Sequence, residues 1–227
     1  MSNFNVPIIP DAINWNEIAQ WKAMLSQALA DLRVSIPAIV QSFDPVAQTV
    51  VVEIAVREVV KTQNGPQSVA IAPIGDVPVI LPSAGGYSLT LPLQAGDEGL
   101  LVFCDMCIDL WWSRGGIQDQ FERRRHDLSD CGFFPGGKSQ ARVISNYSGT
   151  SAQLRSDDGN TIVDVAETGI TLTADKVQIN TTGDVDLTAS GNVNISATSG
   201  TKIDGKTFLT HEHSGVSTGA GVTGPVV

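Results

Sequence analysis

A chain of 227 residues is long enough to bury a core and to form one or two domains. Its formal charge of −10 leaves no basic footprint, which argues against wrapping nucleic acid or adhering to anionic lipid. No basic-then-apolar leader opens it and no apolar run reaches the roughly 18 residues of a membrane span, so the chain is expected to be made in a cytosol, or exported by something other than its own leader.

Residues 1–36 read as a leader and a helix. PIIPDAIN is extended, and Asn14 or Asn16 can cap a helix that carries Ile18, Trp21, Leu25, Leu29 and Leu32 on one stripe before Ile36-Pro37 stops it. The stripe needs a partner: the chain's own trimer or domain, or a neighbouring assembly protein. Residues 37–112 carry strand signals at Thr49–Val56, Ser68–Ile74, Val77–Leu81, Tyr87–Leu93, Gly99–Cys104 and Ile108–Trp112, broken by turn residues at NGP (64–66), SAGG (83–86) and AGDEG (95–99). Short strands at near-regular spacing predict a small all-β barrel or sandwich. Asp97 and Glu98 are adjacent in a tight turn, where side chains diverge, so they are not expected to form a catalytic dyad.

Residues 113–160 read as an irregular connector. Arg123-Arg124-Arg125-His126-Asp127 is a basic run in an acidic chain, and is expected to pair with carboxylates of a neighbouring chain; phosphate binding is the sharper alternative. Cys104, Cys107, His126 and Cys131 could in principle form a Cys3His zinc site. With no second tight ligand pair, half-buried reduced thiols are the expected state.

Composition changes near residue 150. All four Trp, both Tyr, all three Cys and six of the seven Phe precede it, whereas 151–227 is rich in Gly, Thr, Ser, Asp and Asn. An internal repeat follows: VDV (163–165), ITLTA (170–174), VQINT (177–181), VDLTA (185–189) and VNISA (193–197), with first apolar positions at 163, 170, 177, 185 and 193. Apolar and polar residues alternate inside each unit, as in a strand with one buried face, and linkers do not alternate. A strand of about 5 residues, roughly 17 Å, leaves a single coiled chain no interior. Residues 161–205 are therefore expected to form an intertwined, threefold-symmetric β-helix in which each chain supplies one strand per layer, making the protein an obligate homotrimer.

In the tail THEHSGVSTGAGVTGPVV, His211 and His213 stand two residues apart. In extended chain both imidazoles point to one side, roughly 7 Å apart. On a threefold axis three such pairs become two rings of three nitrogens, an octahedral donor set that suits iron(II) or nickel(II) better than four-coordinate zinc. Glu212 points the other way, and the glycines that follow let the backbone close to a point.

The tail THEHSGVSTGAGVTGP (210–225) resembles the apex of the central spike proteins of contractile phage tails. VPVILPSAGGYSLTLPLQAGDEGLLVFCDMCIDLWW (77–112), followed by RRRHDLSD (123–130), resembles the N-terminal domain of the membrane-puncturing spikes of the phi92 type. The resemblance covers about residues 35–227. It implies an all-β protein with an OB-fold domain at 37–112, a triple-stranded β-helix at 161–205, and a metal-binding apex at 206–227. There His211 and His213 would hold one iron ion per trimer on the axis. It also implies a non-enzymatic spike at the centre of the tail baseplate, attached to a tail hub protein at its N-terminal end and driven through the host outer membrane on sheath contraction. Ser214 departs from the glycine common at that position and leaves the ligands untouched. A receptor-binding or effector-carrying tip is the alternative. It would expose varied aromatic and polar groups, which this tail lacks. No paired carboxylates or nucleophile–base constellation suggests a hydrolase.

Overall fold

The computed structural model describes residues 15–30, 32–208 and 219. The protein is mainly β, with a short N-terminal helix, α1 (Trp15–Ala30). The chain divides into two compact units, Met1–Thr150 with Asp157–Gly159, and Ser151–Ser156 with Asn160–Val227. Asn14, one of the two expected caps of α1, lies outside the described residues.

In the first unit the chain runs through β1 (Ser35–Asp44), β2 (Thr49–Ile54), the hairpin of β3 (Glu58–Thr62) and β4 (Gly65–Val69), and β5 (Ile74–Pro78). The two-residue strands β6 (Ser83–Ala84) and β7 (Tyr87–Ser88) precede β8 (Glu98–Phe103), helix α2 (Asp109–Arg114) and β9 (Cys131–Pro135). Five of these strands form an antiparallel sheet in the order β5-β2-β1-β8-β9. The ten-residue β1 pairs with β8 through its first half and with β2 through its whole second half. Its register shifts between Val40 and Ser42, a bulge that bends the strand so that it can serve both neighbours. The sheet curls into an OB-like half-barrel. Its two edges meet where Val79, just past β5, bridges Phe133 in β9, and Ile80 N–H donates to the Phe133 carbonyl at 2.8 Å.

Alternation fills the concave face. Ala38, Val40, Val50, Val52, Val77, Leu101 and Phe133 are buried together with Cys131. Gly99 is required beneath them: a Cβ there would stand 2.5 Å from the Phe134 carbonyl oxygen and inside the Phe133 ring. The β1–β2 turn is held by Asp44, whose Oδ1 accepts from Val46 N–H at 2.8 Å and Ala47 N–H at 3.1 Å while Gln48 takes φ 57°.

Four sequence expectations are corrected by this fold, the first being the strand expected over Tyr87–Leu93, of which only β7 forms. In place of the strand expected over Ile108–Trp112 stands α2: Trp112 N–H donates to Ile108 O and Gly115 N–H to Trp111 O, both at 2.8 Å, and Gly115 at φ 69° ends the turn. The apolar run mimics a strand, and the closing Gly-Gly is the helical signal. Ser68–Ile74 is split between the ends of β4 and β5, because the turn at Gly65, φ 104°, starts the return strand earlier. The connector expected to be irregular supplies β9, whose CGFFP sequence is buried on successive residues and so shows no alternation.

The second unit contains a meander of β10 (Ala152–Arg155), β11 (Ile162–Ala166) and β12 (Gly169–Thr173), and a small hairpin of β13 (Lys202–Ile203) and β14 (Lys206–Thr207). The first two repeat units thus pair with each other inside one chain, where the repeat alone suggests pairing between chains. The turn at Glu167-Thr168 is short enough to close a hairpin, and antiparallel neighbours need no longer connection.

Candidate functional site: an exposed apolar ladder and an arginine latch

The repeat places its apolar residues in register. Leu154, Val163 and Leu172 stand opposite one another across the meander, and Ala152, Val165 and Ile170 form the next row. On the opposite face Asp164 accepts from Ser151 Oγ at 2.8 Å and from the Gln153 amide. Beyond β12 the same parity continues through Val177, Ile179, Val185, Leu187, Val193 and Ile195. All of these large side chains are open to solvent, Ile179 by 70% and Leu187 by 73%. No described residue from 160 to 208 is buried. Burying one Val, Ile or Leu side chain is worth about 2 kcal/mol, so this row is a large unused driving force for association.

In the first unit, Arg124 binds a cluster of acceptors. Its Nε and Nη2 donate to the two carboxylate oxygens of Asp130 at 2.9 and 3.1 Å, a bidentate pair. Nη2 also reaches Asp109 Oδ2 at 2.9 Å and Cys107 Sγ at 3.1 Å, and Nη1 reaches Glu122 Oε2 at 2.8 Å. Asp130 is fully buried and also accepts from Ile108 N–H at 3.0 Å. Burial pushes its carboxyl up, but the Arg124 hydrogen bonds and the Ile108 N–H outweigh this and hold it below the usual value. Arg124 is driven still further toward its charged form by Asp130 and Asp109. The latch ties the start of α2 to the residue before β9.

This arrangement corrects the expectation for the basic run. Arg124 and Arg125 pair with carboxylates of their own chain, Arg125 with Asp105 at 2.5 Å, because the connector folds back over the β8–α2 corner. His126, at φ 49°, sets Nε2 3.4 Å from Asp105 Oδ1, and its Nδ1 is buried with no hydrogen-bond partner. Cys107, Asp109 and Asp130 are the one group among the described residues with metal-ligand spacing, and the guanidinium supplies their cation. Cys104, Cys107, His126 and Cys131 do not converge as a zinc quartet. Cys104 and Cys107 are half-buried free thiols, and Cys131 is a buried one. Burial, reinforced by Cys104 and Asp130, pushes the Cys131 thiol up to about 12, and burial likewise raises Cys104.

Asp97 and Glu98 diverge. Asp97 Oδ2 accepts from Gln94 N–H at 2.8 Å, while Glu98 accepts from Ser139 N–H at 2.5 Å and Ser139 Oγ at 3.0 Å. The Ser139 N–H is the largest influence holding Glu98 below its ordinary value. A groove of 520 Å³ runs along the sheet, lined by Phe43, Val79, Leu91, Leu93, Trp111 and Trp112 among others. His211 and His213 lie outside the described residues, as does most of the expected apex.

With a curled five-stranded sheet, its α2 latch and its edge strand β9 in view, one stretch of the chain can be compared with a known family. Residues 36–136 match the family described as phage protein Gp138 N-terminal domain. That span begins in β1 and ends just past β9, so it coincides with the sheet and its latch. The match supports a phage structural protein, and with it a virion component. No curated protein matches the chain. The Arg124–Asp130 latch is the structural contact that residue order alone does not reveal; its one signal is an aspartate just before a Cys, a few residues past the basic run.

Proposed function

We propose that this phage structural protein is a trimeric, non-enzymatic spike at the centre of a contractile tail baseplate. It would pierce the host outer membrane when the sheath contracts. The observation that carries the reading is the solvent-open apolar ladder from Leu154 to Ile195 in a chain with a phage-protein domain. Three copies packed with their ladders inward would bury those rows along one axis, cover the strand edges and leave Asp164, Asp186 and Lys176 outside. Such a prism would be stiff because backbone hydrogen bonds tie its strands, within each chain in the β10–β12 meander and between chains along the later repeat units, and it would transmit axial force without a hinge.

Toward the C-terminus, His211 and His213 are the proposed iron ligands. Two imidazoles per chain offer six nitrogens on a threefold axis, and a bound ion would hold the three ends together. At the N-terminal end the protein would attach to a tail hub protein.

Native mass and metal content measured on one purified sample test this directly. A trimer with about one iron per three chains is the expected result. A monomer sinks the symmetric ladder, and a metal-free trimer sinks the iron while sparing the shaft. His211→Ala with His213→Ala is expected to remove the metal and keep the trimer. A trimer that binds a receptor or a carried effector and fails to permeabilise outer-membrane vesicles would instead favour a recognition tip.

A further inference from the structure

We infer that α1 is a docking surface for two further copies of itself, and that it forms a short parallel three-helix bundle in the assembled protein. The inference rests on the trimer proposed above. Its observation is different: the arrangement of charge and apolar residues around one isolated helix.

The helix exposes its apolar stripe, with Trp21 open by 69% and Met24, Leu25 and Leu29 also exposed. Its spacing is heptad. Ile18 and Leu25 occupy one core position and Trp21 and Ala28 the other, while Leu32 lies past the end of the helix. The flanks are what identify the occupant. Glu17 and Met24 lie on one side of the stripe, and Lys22 and Leu29 on the other. Glu17 and Lys22 are five residues apart, roughly 140° around a helix that turns about 100° per residue. They cannot meet on one helix, where charge pairs need a spacing of three or four.

On a parallel neighbour the geometry changes. A flank residue of one heptad then faces the opposite flank residue five positions on. Glu17 meets Lys22 of the next copy, and Met24 meets Leu29, so both flanks are complementary. Antiparallel packing would set each flank against its own kind and lose both pairs. Only a parallel arrangement is compatible with a threefold axis. The polar face, with Asn16, Gln20, Ser26 and Gln27, stays outside. A helix of 16 residues is marginal alone. Tethering to a trimeric shaft raises its effective concentration to about millimolar, which offsets its shortness.

The test uses the full chain with Leu25→Cys, and Ser26→Cys as the outward-facing control. Native mass is measured first, then each is oxidised mildly and run on a denaturing gel. Both should be trimers. Leu25→Cys should form a covalent dimer about tenfold faster than Ser26→Cys, as proximity at the axis requires. Adding Glu17→Lys should slow that linkage about threefold, and adding Lys22→Glu as well should restore it. A trimer in which both cysteines link equally overturns the bundle and leaves the spike standing. Fast linkage at position 25 that ignores the charge swap overturns the parallel Glu17–Lys22 register. A monomer overturns the bundle and the trimer together.

Discussion

The two units of this chain solve the burial problem in opposite ways. Residues 35–135 curl a sheet around Phe133, Leu101 and Val52 and lock its corner with Arg124, so the core is closed by one chain. Residues 160–208 have the same alternation of apolar and polar residues and bury none of them. Alternation states which face must be covered, and chain length and connectivity decide whether the same chain can cover it. A long bulged strand such as β1 can wrap; a unit of seven or eight residues cannot.

The comparison breaks most sharply at the ladder. Leu187→Asp would place three carboxylates together on the proposed axis, at several kcal/mol for each unpaired buried charge. The expected outcome is loss of the trimer by light scattering with the thermal transition of the first unit unchanged, whereas Asp186→Leu on the opposite parity keeps the trimer. An unchanged mass for Leu187→Asp would mean that the ladder is not an interface.

Phe133→Ala probes the other unit. It empties a fully buried ring site and should cost about 4 kcal/mol, seen as an earlier thermal transition of the phage domain while the trimer persists. Removing the latch comes next. Arg124→Met leaves Asp130 buried without its cation and should cost about 3 kcal/mol.

That variant also has a pH signature. Glu98, Asp127 and Asp130 are all held below their ordinary values, chiefly by Ser139 N–H, by Ser129 and, against burial, by Arg124. The folded state therefore binds fewer protons than the unfolded one as acid is added. Their contribution is complete above the ordinary carboxylate range and is lost as pH falls through the lowered values. The wild-type melting temperature should hold down to about pH 5 and fall below about pH 4. In Arg124→Met burial is no longer opposed by the guanidinium and the Asp130 carboxyl rises, so its protonation in acid no longer costs stability, and the deficit of the variant against wild type should be largest near neutral pH and shrink as pH falls through the carboxylate range. A profile parallel to wild type would show that Arg124 does not set that carboxyl.

The smallest effect is chemical. With its thiol pushed up to about 12 and its side chain buried, Cys131 should resist iodoacetamide at about pH 8 until the phage domain is denatured, as mass spectrometry of the alkylated chain would show. Labelling of Cys131 in the folded protein would mean that β9 opens.

Much of this is legible from residue order. The all-β class, the strands at Thr49 and Gly99, the α1 stripe and the repeat all rest on periodicities that a window of a few residues contains. Errors arise where local pattern is ambiguous or silent. Ile108–Trp112 is apolar enough for either element, and CGFFP is buried on consecutive residues without alternating. The basic run is the clearest case. Residue order shows three arginines beside an aspartate and a histidine, but not that Arg124 meets Asp109, Asp130 and the Cys107 sulfur.

By itself, then, the sequence determined which faces are apolar, where the chain changes from a core-forming composition to a repeating one, and how α1 is patterned, because each is a local periodicity. Tertiary structure decided that β5 and β9 close the sheet, that the corner after β8 is a helix, and that the buried Asp130 is neutralised by Arg124. Those outcomes depend on residues far apart in the chain arriving at one place, and a buried charge can be settled only by the partner that arrives there.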